Sequence, residues 1–348
     1  MKQKVTMNDV AKIAGVSQAT VSFVLNNAPI SISQGVRDRV MAAVKETGFV
    51  PRKKAKNYAN DQQSAIALFI PNSSNFYYME LEKNITHFAE AKGYHIIVIN
   101  TNRSQSDEMY YLRFLTSHNS MVAGIIYGFT PSNAAIERMA ESEIPFVVVG
   151  EMNQNPQVDL VTLDSVQSGS IVAQHLLDLG HTELAFITSP TNSITLSRKR
   201  RLNGIQEAIS GKGSVTVLCS GSETEAKYAN YELQIGYELT KGYFQGRAAH
   251  ATAFIGANDM IAFGIFKALH ELKIRIPDEV SVCGFDNILF ADLTTPSLTT
   301  VDHCTHWRCG VAIDILHNKI QNLYLTPSIV NCSPVLIQRD STGPVRKR

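Results

Sequence analysis

The side chains in this 348-residue chain most able to do chemistry stand where apolar runs end. Asn258 and Asp259 follow "ATAFIGA", and Asp286 follows "VSVCGF"; both runs read as strands. Short acceptors at strand ends suit hydroxyl-rich molecules, since one carboxylate accepts from two hydroxyls at about 1.5–3 kcal/mol per bond. The Asn-Asp pair serves equally well to cap the helix that follows, and for Asp259 the sequence leaves both readings open. Tyr77 and Tyr78, in "NFYYMEL", offer ring faces to a sugar ring or a flat base, or simply pack. Arg198, Lys199, Arg200 and Arg201 are four bases in a row, a pattern more typical of a solvated helix face.

Enzymatic chemistry finds little support. There is no Gly-x-x-x-x-Gly-Lys phosphate loop, no Gly-x-Ser-x-Gly elbow and no His-Glu-x-x-His metal site. His303 and His306, near Cys304 and Cys309, form a cluster whose spacing fits no common zinc pattern, and Trp307 beside them reads as a packed helix start. Neither a metal nor a cofactor is expected.

A second kind of chemistry lies at the N-terminus. Residues 1–62 hold ten Lys/Arg against four acids, while the rest of the chain holds 22 against 27. A small basic module on a larger, mildly acidic body suits contact with phosphates. Residues 6–14 place Val10, Ile13 and Ala14 at helical spacing, with Thr6 and Asp9 as a capping-box-like start. Gly15 breaks this helix and Ser17 is placed to cap a second, over 17–26, with Val21, Val24 and Leu25 inward. Gln18, Ala19, Ser22, Phe23 and Asn26 are left on its other face. A third helix, from Ser33 to about Thr47, buries Val36, Val40, Ala43 and Val44. Two helices joined by a Gly turn are the helix-turn-helix arrangement, whose second helix enters the major groove. "PRKKAKNYAN" follows, with four bases in five residues able to neutralise phosphates.

Behind this module, short apolar runs ("AIALFI", "YHIIVIN", "GIIYG", "FVVVG", "LAFIT", "TAFIG", "VSVCGF") alternate with helix-like stretches: Met79 to Lys92, Ala134 to Ser142, Ser168 to Leu179 and Asp259 to Leu272. Such alternation predicts parallel sheets wrapped by helices, in two series of roughly 65–160 and 183–290. Ligands in these sheets bind beyond the strand carboxyl ends, so two facing sheets imply a cleft. The apolar runs are strand-length, far short of the roughly 20 residues that span a bilayer, so no membrane partner is expected. Five cysteines without a Cys-x-x-Cys pair, and a start lacking an apolar export signal, point to free thiols in the cytoplasm.

"TMNDVAKIAGVSQATVSFVLNN" and "VRDRVMAAVKETGFVPRKKA" resemble the headpiece and hinge of the lactose/galactose repressor family of bacterial transcription regulators. The likeness continues through "LLDLGHTELAFIT", "RRLNGIQEAI", "AFIGANDMIAFGIFKAL", "IPDEVSVCGFDN" and "VLIQRDST", in the family's order. It implies an all-α helix-turn-helix headpiece over 1–49, a hinge over 50–63 and a basic tail over 341–348. The core over 64–340 is implied to be α/β and periplasmic-binding-protein-like, with two doubly wound parallel-sheet subdomains. These take about 64–162 with 295–325, and 165–292 with 328–340. The crossings are implied near Thr162 to Ser165, Leu293 to Pro296 and Tyr324 to Ser328.

The resemblance also implies a function: a homodimeric repressor that binds double-stranded operator DNA under control of a small effector, a sugar or sugar derivative, held in the cleft. Thr6, Ser17, Gln18, Ala19, Thr20, Ser22, Phe23, Asn26, Ser33, Lys54, Ala55 and Tyr58 are the implied DNA contacts. Tyr77, Tyr78, Arg201, Tyr231, Asn258 and Asp286 are the implied effector contacts. Two positions depart from the family. Phe23 replaces an arginine that reads guanine, and is suited instead to a thymine methyl; Tyr58 replaces a leucine wedged into the minor groove. These departures keep open a sugar sensor with altered or lost operator reading. A purine is the alternative effector, and the run of bases near Arg201 also admits an acidic or phosphorylated one.

Overall fold

The computed structural model describes residues 7–25, 33–47, 64–117, 122–142, 144–152, 158–190, 195–219, 231–246, 250–321 and 326–345, excepting the side chains of 7, 8, 19, 22, 23, 25 and 64. The chain forms two compact units, Met1–Asp61 and Gln62–Arg348. The first holds α1 (Met7–Ala14), α2 (Gln18–Leu25) and α3 (Gln34–Thr47). Gly15, at φ +63°, makes the turn between α1 and α2. No atom lies within 4 Å of where its Cβ would be, so this glycine serves the backbone angle rather than close packing. Val10, Ala11, Ala14, Val21, Val24, Val40 and Ala43 form the core. Ile13, expected inward, is 51% exposed. At about 100° per residue, positions 10, 14 and 11 share one arc of α1 and position 13 falls outside it. Val36 is half-buried rather than buried.

The second unit begins with β1 (Ser64–Ile70), α4 (Phe76–Glu90), β2 (Tyr94–Asn100), α5 (Gln105–Ser117), β3 (Gly124–Tyr127), α6 (Asn133–Ala140), β4 (Phe146–Val149) and β5 (Asp159–Leu163). It continues through α7 (Ser165–Asp178), β6 (Glu183–Thr188), α8 (Leu196–Ile209), β7 (Ser214–Cys219), α9 (Tyr231–Gln245), β8 (Ala253–Gly256), α10 (Asp259–Glu271) and β9 (Ser281–Cys283). The last elements are α11 (Phe290–Leu293), β10 (Thr300–Asp302), α12 (Thr305–Ile320), β11 (Ile329–Cys332) and β12 (Val335–Ile337). One parallel sheet has the order β11-β5-β4-β3-β1-β2 and the other β7-β6-β8-β9.

Alternation along each strand feeds two cores. In the first sheet Ile66, Leu68 and Ile70 pack with α4 and α12 on one face, while Ala67 and Phe69 pack with α5 and α6 on the other. The second sheet buries Phe186, Phe254 and Val282 among residues of α7, α8, α9 and α10. No described helix is long and apolar enough to cross a membrane.

The chain passes from β5 through Asp164 into α7. The second crossing, expected near Leu293 to Pro296, falls later: Leu298 and Val301 still pack in the second subdomain's core, and Cys309 is the first α12 residue in the first subdomain's. The third, expected near Tyr324 to Ser328, also falls later, because β11 pairs with β5 at the edge of the first sheet. Nor does a tail begin at 341. Val282 N–H donates to the Ser341 carbonyl at 2.8 Å and Val345 N–H to that of Leu179 at 2.9 Å, so residues 341–345 are stitched into the second subdomain.

Glycines set how closely the second subdomain's helices cross. A Cβ on Gly169 would lie 1.9 Å from the Arg201 carbonyl oxygen, and one on Gly204 the same distance from that of Val166. The pair Gly236 and Gly264 plays the same part between α9 and α10. These crossings place α8, which carries Arg198, Arg200 and Arg201, and α9, which carries Glu232. We predict that Gly204→Ala costs about 1–3 kcal/mol through overpacking. Gly242→Ala, in α9 with no atom within 4 Å of the new Cβ, should be neutral or slightly stabilising. Equal denaturation midpoints for the two variants would contradict this account of the crossing.

Candidate functional site

Two places bring together the residues that sequence reasoning selected. In the first unit, Ser17 Oγ accepts from Thr20 N–H at 3.1 Å and lies 2.9 Å from Thr20 Oγ1, so it caps α2. Gln18, the first residue of that helix, is exposed, as are Ser17 and Ser33, while Thr20 is half-buried. Ala19, Ser22 and Phe23 lie on α2, their side chains outside the described set. Thr6, Asn26, Lys54, Ala55 and Tyr58 lie outside the described residues.

In the second unit a cavity of about 290 Å³ lies beyond the carboxyl ends of both sheets. Tyr77, Tyr78, Arg201, Asn258 and Asp286 all line it. Tyr77 and Tyr78 meet edge to face at 5.1 Å on the first turn of α4, and burial pushes the Tyr77 phenol up to about 12, so it remains a neutral donor. Tyr231 is not among the described lining residues: it opens α9 and packs against the second subdomain's core. One residue on, Glu232 is likewise not among the described lining residues, but it holds Arg198 and Asn258, which are.

Glu232 gathers groups from both subdomains. Arg198 pairs with its Oε1, while Asn75 Nδ2 and Asn258 Nδ2 each donate to its Oε2 at 2.7 Å. Each of these asparagines also caps a helix, accepting with Oδ1 from Tyr77 N–H at 2.9 Å and from Ile261 N–H at 3.0 Å. Capping and the bond to Glu232 are thus two ends of one Asn258 side chain. For Asp259 capping is not the role. It is fully buried, accepting from Thr300 Oγ1 at 2.6 Å and Ile288 N–H at 3.0 Å. Burial and then the charge of Asp286 hold its carboxyl well above the usual carboxylate range.

Arg201 organises the opposite wall. Its guanidinium is buried, lies 4.7 Å over the Phe285 ring, and donates to the Ala257 carbonyl at 2.6 Å and to Asp286 Oδ1 at 3.3 Å. It also meets His303 Nε2 at 2.8 Å. Arginine has only donors, so this nitrogen accepts. Burial and then the Arg201 charge pull the imidazole down to about 4, against the raising effect of Asp286, whose Oδ1 lies 3.3 Å from the same Nε2, so the ring is neutral; acceptance from Arg201 by Nε2 assigns its proton to Nδ1. Among the described residues that Nδ1 has no partner. Asp286 holds φ at +111°, an angle rare for a residue with a side chain, and such strain of roughly 1–3 kcal/mol is typical where a side chain is aimed at a ligand.

Sequence reasoning missed Glu232, Glu151, His303 and Arg308. Glu151 Oε1 accepts from Arg200 Nη1 at 3.1 Å, across the subdomains, and from Ser165 N–H at 3.2 Å, while Oε2 is buried without a partner among the described residues. The basic run 198–201 is therefore not a solvated face: Arg198 and Arg201, three apart, point inward, Arg200 bridges and only Lys199 is exposed. Glu151 had a readable signal, an acid directly after "FVVVG", the same placement that drew attention to Asp286. His303 and Arg308 had none, because their roles arise from where the second crossing falls. Trp307 is 49% exposed rather than packed, and the described residues form no group of three or more potential metal ligands.

Residues 6–52 match the family model described as bacterial regulatory proteins, lacI family, and residues 173–342 match that of the periplasmic binding protein-like domain. The HTH-type transcriptional regulator DegA of Bacillus subtilis is 33% identical over 302 residues, 86% of each chain. The ribose operon repressor of Escherichia coli is 29% identical over 341 residues, 97% of this chain and 99% of that one. A LacI family transcriptional regulator from Enterococcus faecium, solved with bound ribose, superposes with a TM-score of 0.70 at 24% identity, covering 81% of this chain and all of that one. With its headpiece and cleft both accounted for, the chain belongs to the lacI family of bacterial regulatory proteins.

Proposed function

We propose that this family member is a homodimeric repressor whose hold on operator DNA is set by a carbohydrate-class effector in the cleft. The observation that carries the reading is a cluster of buried polar atoms, on residues lining one cavity, that have no partner among the described residues: Glu151 Oε2, His303 Nδ1 and Arg201 Nε. Buried polar atoms are costly without partners, and a polyhydroxylated ligand supplies both donors and acceptors. Tyr77 and Tyr78 add an aromatic wall for its apolar faces. The ribose operon repressor among the relatives and the ribose-bound neighbour support a sugar.

Control follows from the bridges between the subdomains: Asn75 to Glu232, Glu151 to Arg200, and Phe76 against Phe290 at 4.7 Å. A ligand that replaces or reinforces these contacts favours one closure angle, and its influence on DNA equals its differential affinity for the two states, typically 1–3 kcal/mol. Two headpieces related by a two-fold axis read an inverted repeat, with Gln18 as the hydrogen-bonding reader and Phe23 as an apolar one.

Selection of preferred sites from random DNA by the full chain should yield inverted repeats lacking the family's usual guanine opposite Phe23. Recovery of the common family operator unchanged would contradict the reading of Phe23, and unrepeated sites would contradict the dimer. On a selected fragment, affinity should fall about 10³-fold or more between roughly 50 and 200 mM salt, as expected for six or more phosphate contacts. Binding that is absent, or insensitive to salt, would remove DNA regulation from the account.

A further inference from the structure

Arg308 has no place in the scheme above. It sits in the first turn of α12, is 1% exposed, and lines the cavity. Its Nη2 donates to the Val161 carbonyl at 3.3 Å, while Nε and Nη1 have no partner among the described residues. The ion pairs found among the described residues do not include it, although they account for Arg198 through Glu232, Arg200 through Glu151 and Arg201 through Asp286. Its charge is felt at both Tyr77 and His303, which line the same cavity. His303 contributes a buried Nδ1–H without a partner and holds Arg201 by its other nitrogen.

A buried guanidinium lacking a counter-charge is costly, and a neutral hydroxyl compensates it poorly compared with an anion. The neighbouring charges leave nothing for it: Arg198 and Arg201 are met by Glu232 and Asp286, and the two carboxylates that line the cavity, Glu151 and Asp286, are themselves paired with Arg200 and Arg201. We infer that the effector carries an acidic group, a phosphate or a carboxylate on a sugar-sized body, held by Arg308 with the His303 Nδ1–H as a second donor. The inference rests on the effector reading of the cleft and narrows its ligand class. The hydroxyl-bearing part then meets Glu151 Oε2 and the Asp286 carboxylate, which accept but cannot donate.

Calorimetric titration of the full chain with matched probes tests this: D-ribose against D-ribose 5-phosphate, and D-glucose against D-glucose 6-phosphate and D-glucuronate. At least one acidic probe should bind ten times or more tighter than its neutral partner, and that advantage should shrink as salt rises. Whether the phosphate or the carboxylate probe gains tells which acid the site accepts. Arg308→Met should abolish the advantage, and Arg308→Lys should keep part of it; the salt dependence tests the native chain even if a variant fails to fold. Neutral probes binding as tightly as all acidic ones would overturn the acidic group while leaving a sugar effector intact. Binding of none of the probes would overturn both.

Discussion

One carboxylate holds the two halves of the cleft in register. Glu232 is neutralised by Arg198 and receives the amide groups of Asn75 and Asn258, one from each subdomain. Each amide is fixed in turn, because its oxygen caps the helix that opens there. Buried charge is costly unless it is paired and hydrogen-bonded, so removing either amide would leave a costly remainder. The position of Glu232 depends on α9, and that helix lies close to α10 only because Gly236 and Gly264 present no side chain where the backbones cross. Helix packing, capping and cleft closure are therefore one connected constraint.

Arg201 makes the matching constraint on the other side. Its guanidinium joins α8 to the ends of β8 and β9 and to the crossing that leads into α12. A neutral His303 accepts from it, and Asp286 balances its charge from a strained backbone angle. Arg308, His303 and Glu151, which line the same cavity, each keep a buried polar atom that has no partner among the described residues.

Much of this was legible in the sequence, and the failures have causes. The buried parallel strands announced themselves as apolar runs. β7, half-exposed along its length at a sheet edge, did not, and α5 hid its amphipathic pattern behind the exposed Tyr110, Tyr111 and Phe114. Asn258, Asp286 and the tyrosine pair were found because strand ends and helix starts are local features. Glu232 was missed by one residue, since the sequence "SGSETEAKYAN" before α9 holds no apolar run to count from. Arg308 and His303 depend on the second crossing, which falls after Val301, and no local pattern encodes where a chain changes subdomain. A row of four bases, read as a solvated face, proved to be two inward arginines, a bridge and one exposed lysine, as helical spacing allows.

The central claim is that occupancy of the cleft and grip on DNA are one equilibrium. Linkage requires that the effector's affinity change by the same factor when operator DNA is bound as the operator's affinity changes when the effector is bound. Titrating the tightest-binding cleft ligand into the full chain, with and without a saturating selected operator fragment, measures this directly. The account predicts a shift of about 5–150-fold, equal to that seen in the converse DNA titration. An effector affinity unchanged by the operator would contradict it.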